Sequence, residues 1–219
     1  EEDKDKDEEE QSVELSSIVN YAEASKFVSL TDQERGFWQC FSLKEDKAES
    51  LGKDQDGARQ LVILTQTNLA RVYPKGSRIN SDNYNPVPYW LRGFQLAAMN
   101  LQTHDEGSAI NNAFFAQNGG CGYVLKPEYM LRPAPIYSPL SLTGESQEEV
   151  TITLLAGHQL GQGQVRVGLR LLGHPHDETS WMSSTTQGSN CSWGESSQGE
   201  EVVLTVRRPQ LALLEVKLY

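Results

Sequence analysis

The chain has 219 residues, a mass of 24.4 kDa and a hydrophobic content of 37%, enough for one large globular domain or two modest ones with a real core. Its net charge of −11 is uneven: residues 1–10 (EEDKDKDEEE) hold eight acids and two lysines, net −6, leaving −5 elsewhere. An acidic chain with no basic stripe and no interleaved aromatics excludes nucleic acid as a partner, and no apolar run approaches the ~20 residues of a membrane span.

The N-terminus is a charge run rather than a basic-then-apolar leader, so the chain is expected to be cytosolic. Cys40, Cys121 and Cys191 are far apart and odd in number, which suits reduced thiols, and no C-x-x-C pair suggests zinc. Residues 1–12 form a like-charge block expected to stay solvated as the end of a linker. From Leu15 to Lys126, short apolar runs alternate with helix-like segments: Ile18–Tyr21, Lys44–Leu51, Leu69–Tyr73, Phe94–Leu101 and Gly122–Leu125. This is a β/α rhythm. Residues 131–149 (LRPAPIYSPLSLTGESQEE) have neither period and contain three prolines, marking a domain boundary. Beyond it the pattern is alternation: Val150, Ile152, Leu154; Val165, Val167, Leu169, Leu171; Val202, Leu204, Val206; Leu211, Leu213. Period-2 strands without intervening helices predict an antiparallel β-sandwich, with the polar run Ser183–Gly199 as a long loop or a poorly formed edge.

The densest cluster of informative residues is LARVYPKGSR, residues 69–78. A short β-branched strand ending in Pro and Gly places Arg71 and Tyr73 on one face, near the C-terminal mouth if the strand belongs to a parallel barrel. A guanidinium offers planar, bidentate donors to a phosphate, and an aromatic face two residues on can stack on a sugar-like ring. The same decapeptide equally describes a surface Arg paired with an acid and a Tyr packed between strand and helix. Ser42 opens S-x-x-E before the run KEDKAESL, which fits a capping box. A serine at a helix N-terminus can cap the helix or hold a phosphate oxygen beside the free N–H groups, and both roles require the same residue. His104, His158, His174 and His176 offer candidate acid/base groups, but His174-Pro175-His176 has too few local ligands for a metal and is read as a solvated loop. Asn118–Pro127 reads as a glycine-rich turn feeding a short strand, and matches no phosphate loop.

RVYPKGSRINSDNYNPVPYW, GFQLAAMNLQT and NGGCGYVLKPEYM, in this order and spacing, resemble the Y half of the eukaryotic phosphoinositide-specific phospholipases C. The resemblance runs through LSSIVNY (15–21) and Cys40-Phe41-Ser42, and covers about residues 14–133. A weaker one, through VTITLLAGHQL and Pro209–Leu213, likens the region after residue 148 to the family's C2-type sandwich, cut short at Tyr219. The fold it implies is α/β then all-β: an acidic linker end over 1–12, the second half of a TIM-type (β/α) barrel over 13–133, a linker over 134–148 and an incomplete antiparallel sandwich over 149–219.

The activity implied is hydrolysis of phosphatidylinositol 4,5-bisphosphate to diacylglycerol and inositol 1,4,5-trisphosphate, at the inner face of the plasma membrane. The family's catalytic histidines and calcium ligands belong to the first (X) half, so no catalytic residue and no metal ligand is expected here, calcium is a cofactor of the absent half, and an X half is a required partner. Carried over by position, Ser42 and Arg71 would hold ring phosphates and Tyr73 would pack against the inositol ring. Asn80, Asp82 and Ala70 depart from the family pattern, which touches loop hydrogen bonding rather than the phosphate ligands. The loops LGQGQ and NCSWGE supply almost no carboxylates where calcium-binding sandwiches place aspartates, so no calcium is expected in them. The acidic head implies autoinhibition by masking of the site and repulsion from anionic membrane, or else an inert spacer. The alternative to an enzyme half is a catalytically silent, phosphoinositide-binding scaffold.

Overall fold

The computed structural model describes residues 12–141, 147–194 and 198–219. Of the acidic block expected over residues 1–12, with its autoinhibitory reading, residues 1–11 lie outside the described residues, and Ser12 caps the first helix, accepting the Leu15 N–H. The first part builds on a four-stranded parallel sheet of order β1-β2-β3-β4: β1 Glu23–Ser25, β2 Gln39–Lys44, β3 Leu69–Tyr73 and β4 Leu96–Ala97. Helices α1 Val13–Ser16, α2 Glu45–Leu51, α3 Gln55–Thr67, α4 Val87–Leu91, α5 Glu106–Phe115 and α6 Glu128–Leu131 accompany it.

Strand alternation decides which face is covered. Phe41 and Leu43 of β2 and Ala70 and Val72 of β3 are buried in one cluster with Leu61 and Leu64 of α3, Tyr84, Tyr89 and Phe94. The opposite face carries Ser42 and Lys44 of β2, Leu69, Arg71 and Tyr73 of β3 and Leu96 of β4. That face is open, with Leu69 and Leu96 each more than 40% exposed.

Several expectations need correction. Ile18–Tyr21 is not a strand: α1 precedes it, Ile18 and Tyr21 project outward, and the first strand is β1, paired in parallel with β2. Phe94–Leu101 contributes only the two residues of β4. Gly122–Leu125 forms no strand, because Gly119, Gly120 and Gly122 take left-handed φ of 68°, 69° and 84° and turn the chain where extension was expected. The sequence reading places no helix over 55–67 or 106–115, yet α3 and α5 fill both spans.

The second part is antiparallel. Strand β5 Glu148–Leu154 pairs with β12 Glu200–Val206; β8 Val167–Leu172 lies between β9 Thr179–Met182 and β13 Leu213–Leu218. Short strands β6 Ala156–Gly157 and β7 Gln164–Val165 pair with β11 Cys191–Ser192 and β10 Thr186–Gln187. The alternating residues do form the core: Val165, Val167 and Leu169 pack with Ile152, Leu154, Val202 and Trp193, and Leu171 with Leu204 and Val206. Within the segment expected as a long loop or a poorly formed edge, the described residues hold β10, β11 and a Trp193 that is 2% exposed and donates its indole N–H to the Ser184 carbonyl. Leu211 belongs to a 3₁₀ turn, Pro209–Leu211, ahead of β13, and is buried against the first part with Val62, Trp90, Met130 and Tyr137.

The solvated reading of His174-Pro175-His176 fails for its first residue. His174 is fully buried, and its carbonyl accepts the Asp177 N–H. Asp177, also buried, accepts the backbone N–H of Arg207 and pairs with its guanidinium. The turn folds inward around this ion pair instead of pointing to water. Among the described residues all three cysteines are free.

Candidate functional site

In the parallel register of β2 and β3, Ser42 lies opposite Arg71 and Lys44 opposite Tyr73. Adjacent strands run about 4.8 Å apart, so the Ser42 and Arg71 side chains emerge side by side on the open face. The Arg71 guanidinium carbon sits 5.2 Å from the centroid of the Tyr73 ring, within cation–π range. All three predicted residues therefore share one face near the C-terminal ends of neighbouring strands. Among the described residues no carboxylate pairs with Arg71, whereas Arg132 and Arg207 each have one and Arg78 and Arg170 two. Cys40, on the same face of β2, has its thiol pushed up by burial, an effect the Arg71 charge partly offsets.

Ser42 reaches this place by a different route from the one expected. It does not cap a helix: α2 starts at Glu45, Lys44 occupies the cap position, and no side chain caps the helix. Burial of Phe41 and Leu43 holds the segment in extended, period-2 backbone, which sends the Ser42 hydroxyl to the strand face rather than to the free N–H groups of α2.

The loops beyond these strand ends are fixed by buried polar contacts. Glu45, with a side chain 7% exposed, accepts on Oε1 from the Lys75 N–H at 2.9 Å and from Arg78 Nε at 2.6 Å, and on Oε2 from a second Arg78 nitrogen at 2.7 Å. Burial alone would raise the Glu45 carboxyl, but the Arg78 and Lys75 hydrogen bonds outweigh it and hold it below the usual carboxylate value. The remaining Arg78 nitrogen donates to Asp82 and to the Asn83 carbonyl. Asp82, one of the positions that departs from the family pattern, thus has a loop hydrogen bond of its own.

Asn83 carries the bracing onward. Its side chain donates to the Asn100 carbonyl and Asp105 and accepts the Asn100 N–H at 2.6 Å. Asp105 accepts the Asn83 N–H and forms a capping box with Ser108 at the start of α5. Although burial opposes it, these bonds lower the Asp105 carboxyl to about 2. The Tyr84 hydroxyl donates to the carbonyls of Val72 and Ala98, and the Tyr89 hydroxyl to that of Glu45. Sequence reasoning missed Glu45, Arg78, Asn83 and Asp105; the local signals were the i,i+4 spacing of Arg78 and Asp82 and the cap spacing of Asp105 and Ser108.

A cavity of about 900 Å³ opens beside the site, lined by Leu69, Arg71, Leu96, Phe114, Tyr123 and Lys126 among others. It meets the predicted set at Arg71; Ser42 and Tyr73 are not in its wall. Lys126 donates to the Thr65 carbonyl at 2.8 Å, and burial lowers its ammonium to about 8. His104, His158 and His176 are exposed and His174 is buried, and none of the four lies on β2, β3 or β4. Among the described residues no group of three or more His, Cys, Asp or Glu side chains converges as a metal site.

Comparison with known proteins meets this geometry. The family described as phosphatidylinositol-specific phospholipase C, Y domain, matches residues 15–129. The human 1-phosphatidylinositol 4,5-bisphosphate phosphodiesterase beta-2 (Homo sapiens) is 35% identical over 214 residues, covering 93% of this chain and 18% of its own length. The human eta-2 phosphodiesterase is 30% identical over 217 residues, covering 91% of this chain and 15% of its own. The chain thus spans less than a fifth of these relatives. The crystal structure of L. pealei PLC21 superposes with a TM-score of 0.83 at 27% identity, covering 95% of this chain and 28% of that one. That of S. officinalis PLC21 gives 0.81 at 26% identity, covering 94% and 27%. With a family match over residues 15–129 and relatives aligned along nine-tenths of its length, the chain belongs to the phosphatidylinositol-specific phospholipase C family.

Proposed function

We propose that this chain supplies the headgroup-binding half of a phosphoinositide phospholipase C. The reaction is hydrolysis of phosphatidylinositol 4,5-bisphosphate, the substrate in the names of its curated relatives, to diacylglycerol and inositol 1,4,5-trisphosphate. The observation that carries this reading is Arg71. It is a guanidinium without a carboxylate partner among the described residues, beside the Ser42 hydroxyl and over the Tyr73 ring. A guanidinium and a hydroxyl one strand apart suit a ring phosphate, and an aromatic face beneath suits the polyol.

On this reading the four parallel strands are half of a TIM-type barrel, and the open face is completed by an X half that brings the acid and base. The sandwich is of the C2 type. The chain acts in the cytoplasm, peripherally at the inner face of the plasma membrane; among the described residues no helix is long and apolar enough to cross a membrane. Calcium, which the resemblance implies, would be held by the X half; among the described residues no group of three or more His, Cys, Asp or Glu side chains converges.

The test is assembly of this chain with an X half, followed by assay of Arg71→Ala on bisphosphorylated and on unphosphorylated phosphatidylinositol. Loss of one bidentate phosphate contact predicts a fall of about 100-fold in kcat/KM on the former and little change on the latter. Equal loss on both lipids refutes the assignment of Arg71. An assembled complex that binds the bisphosphorylated lipid without turnover supports the silent scaffold instead.

A further inference from the structure

Glu45 belongs to no substrate-binding set, yet it is the point through which the two strands of that set are tied together. It directly follows Lys44, the last residue of β2, and the three hydrogen bonds of its carboxylate all go to the segment that follows β3. The first of these, from the Lys75 N–H, lies two residues beyond Tyr73. Through Arg78 the link continues to Asp82 and Asn83, and through Asn83 to Asn100 and Asp105 beyond β4. The bracing therefore crosses the C-terminal ends of three successive strands.

We propose that Glu45 is a positioning residue: by holding Arg78 and the Lys75 N–H it fixes the segment after β3 against the end of β2, and with it the placement of the Arg71 and Tyr73 side chains beside Ser42. This rests on the proposed phosphoinositide reading and deepens it. Two consequences follow from the geometry. Both Glu45 oxygens are occupied, so this carboxylate is not a group for substrate. Arg78 is neutralised by Glu45 and Asp82, which leaves Arg71 as the neighbouring guanidinium with its charge uncompensated. A fixed pair of strand ends then presents the Arg71 guanidinium, the Ser42 hydroxyl and the Tyr73 ring at constant separation. Recognition of a ring phosphate is sensitive to displacements on the order of 1 Å.

The experiment compares Glu45→Gln, Arg78→Gln and the double variant, in the complex of this chain with an X half, on mixed micelles of phosphatidylinositol 4,5-bisphosphate or of phosphatidylinositol. Each single variant is expected to lower kcat/KM on the bisphosphorylated lipid about tenfold and on the unphosphorylated lipid less than about twofold. The double variant should be no worse than the poorer single, because the two residues act as one unit. Equal losses on both lipids mean a merely structural brace and overturn the proposal, as do unchanged rates or losses that multiply. Should Glu45→Gln melt below the assay temperature, Arg78→Lys, which keeps the charge and loses the two-pronged fork, carries the same comparison. Arg71→Ala run in parallel separates the two levels. If it changes lipid preference while the Glu45 and Arg78 variants do not, only the positioning role fails; if it does not, the headgroup reading fails with it.

Discussion

Arg71 and Arg78 stand in one motif and meet opposite fates: one keeps its charge uncompensated on an open face, the other is gripped by Glu45 and Asp82. Alternation alone places Arg71 and Tyr73 together, because period 2 is fixed by pleating whatever the fold. Ser42 is harder to place, since S-x-x-E is a capping signal, and only burial of Phe41 and Leu43 on the other face shows that the strand pattern overrides it. The Glu45–Arg78 pair was not legible, because its partners are 33 positions apart and nothing local links them. The buried His174 was missed for the same reason: its environment is made by Asp177 and Arg207, which a reading of the HPH triplet does not include. Burial is the main force lowering the His174 imidazole from its ordinary 6.5, with His176 and Arg207 adding to it and Asp177 opposing. Protonation then favours the unfolded chain, so the stability from keeping this ring neutral is fully present above about pH 6.5 and is lost as pH falls below it. His174→Gln should lose less stability than the unmodified chain between pH 7 and pH 5, measured by urea unfolding at both values.

At the scale of elements, the strands of the sandwich were read with fair accuracy from alternation, while helices α3 and α5 were not read at all. The run LVILT inside α3 is apolar and β-branched, the composition of a strand, and what makes it a helix is Asp54 capping the Gly57 N–H and packing of Leu61 and Leu64 on the sheet. Helix α5 depends on Asp105 in the same way, but here the cap also holds the loop after β3, through the Asn83 N–H. Asp105→Ala strands both donors and should lower stability by about 2 kcal/mol in urea unfolding. Its carboxyl is held at about 2, below the ordinary 3.8, so this stabilisation is complete above pH 3.8 and is lost as pH falls towards 2. A loss confined to the helix, with the loop unaffected, would show as normal binding by the variant.

Across the whole molecule, the two parts are joined by more than the proline-rich segment. The Arg208 guanidinium lies 4.7 Å from the ring centroids of both Tyr129 and Tyr137, and Arg170 of β8 pairs with Glu106 of α5 as well as with Glu215. Leu172 and Leu211 from the sandwich are buried with Val62, Trp90 and Met130 from the first part. The boundary expected over residues 131–149 carries no sign of these contacts, since the residues involved come from seven separate elements. Arg208→Ala removes the shared cation of the two tyrosines and should cost about 1–2 kcal/mol, broadening the single calorimetric transition that a fused pair of domains gives.

The four-stranded sheet has one more consequence. Its outer members, β1 and β4, are three and two residues long and, among the described residues, are paired on one side only, so each offers a brief row of backbone donors and acceptors. Rows so short are poor templates for indiscriminate stacking of copies. A companion polypeptide that extends this sheet must therefore be gripped mainly by side chains such as Leu69 and Leu96, which makes its shape, more than its backbone, the test of whether it fits.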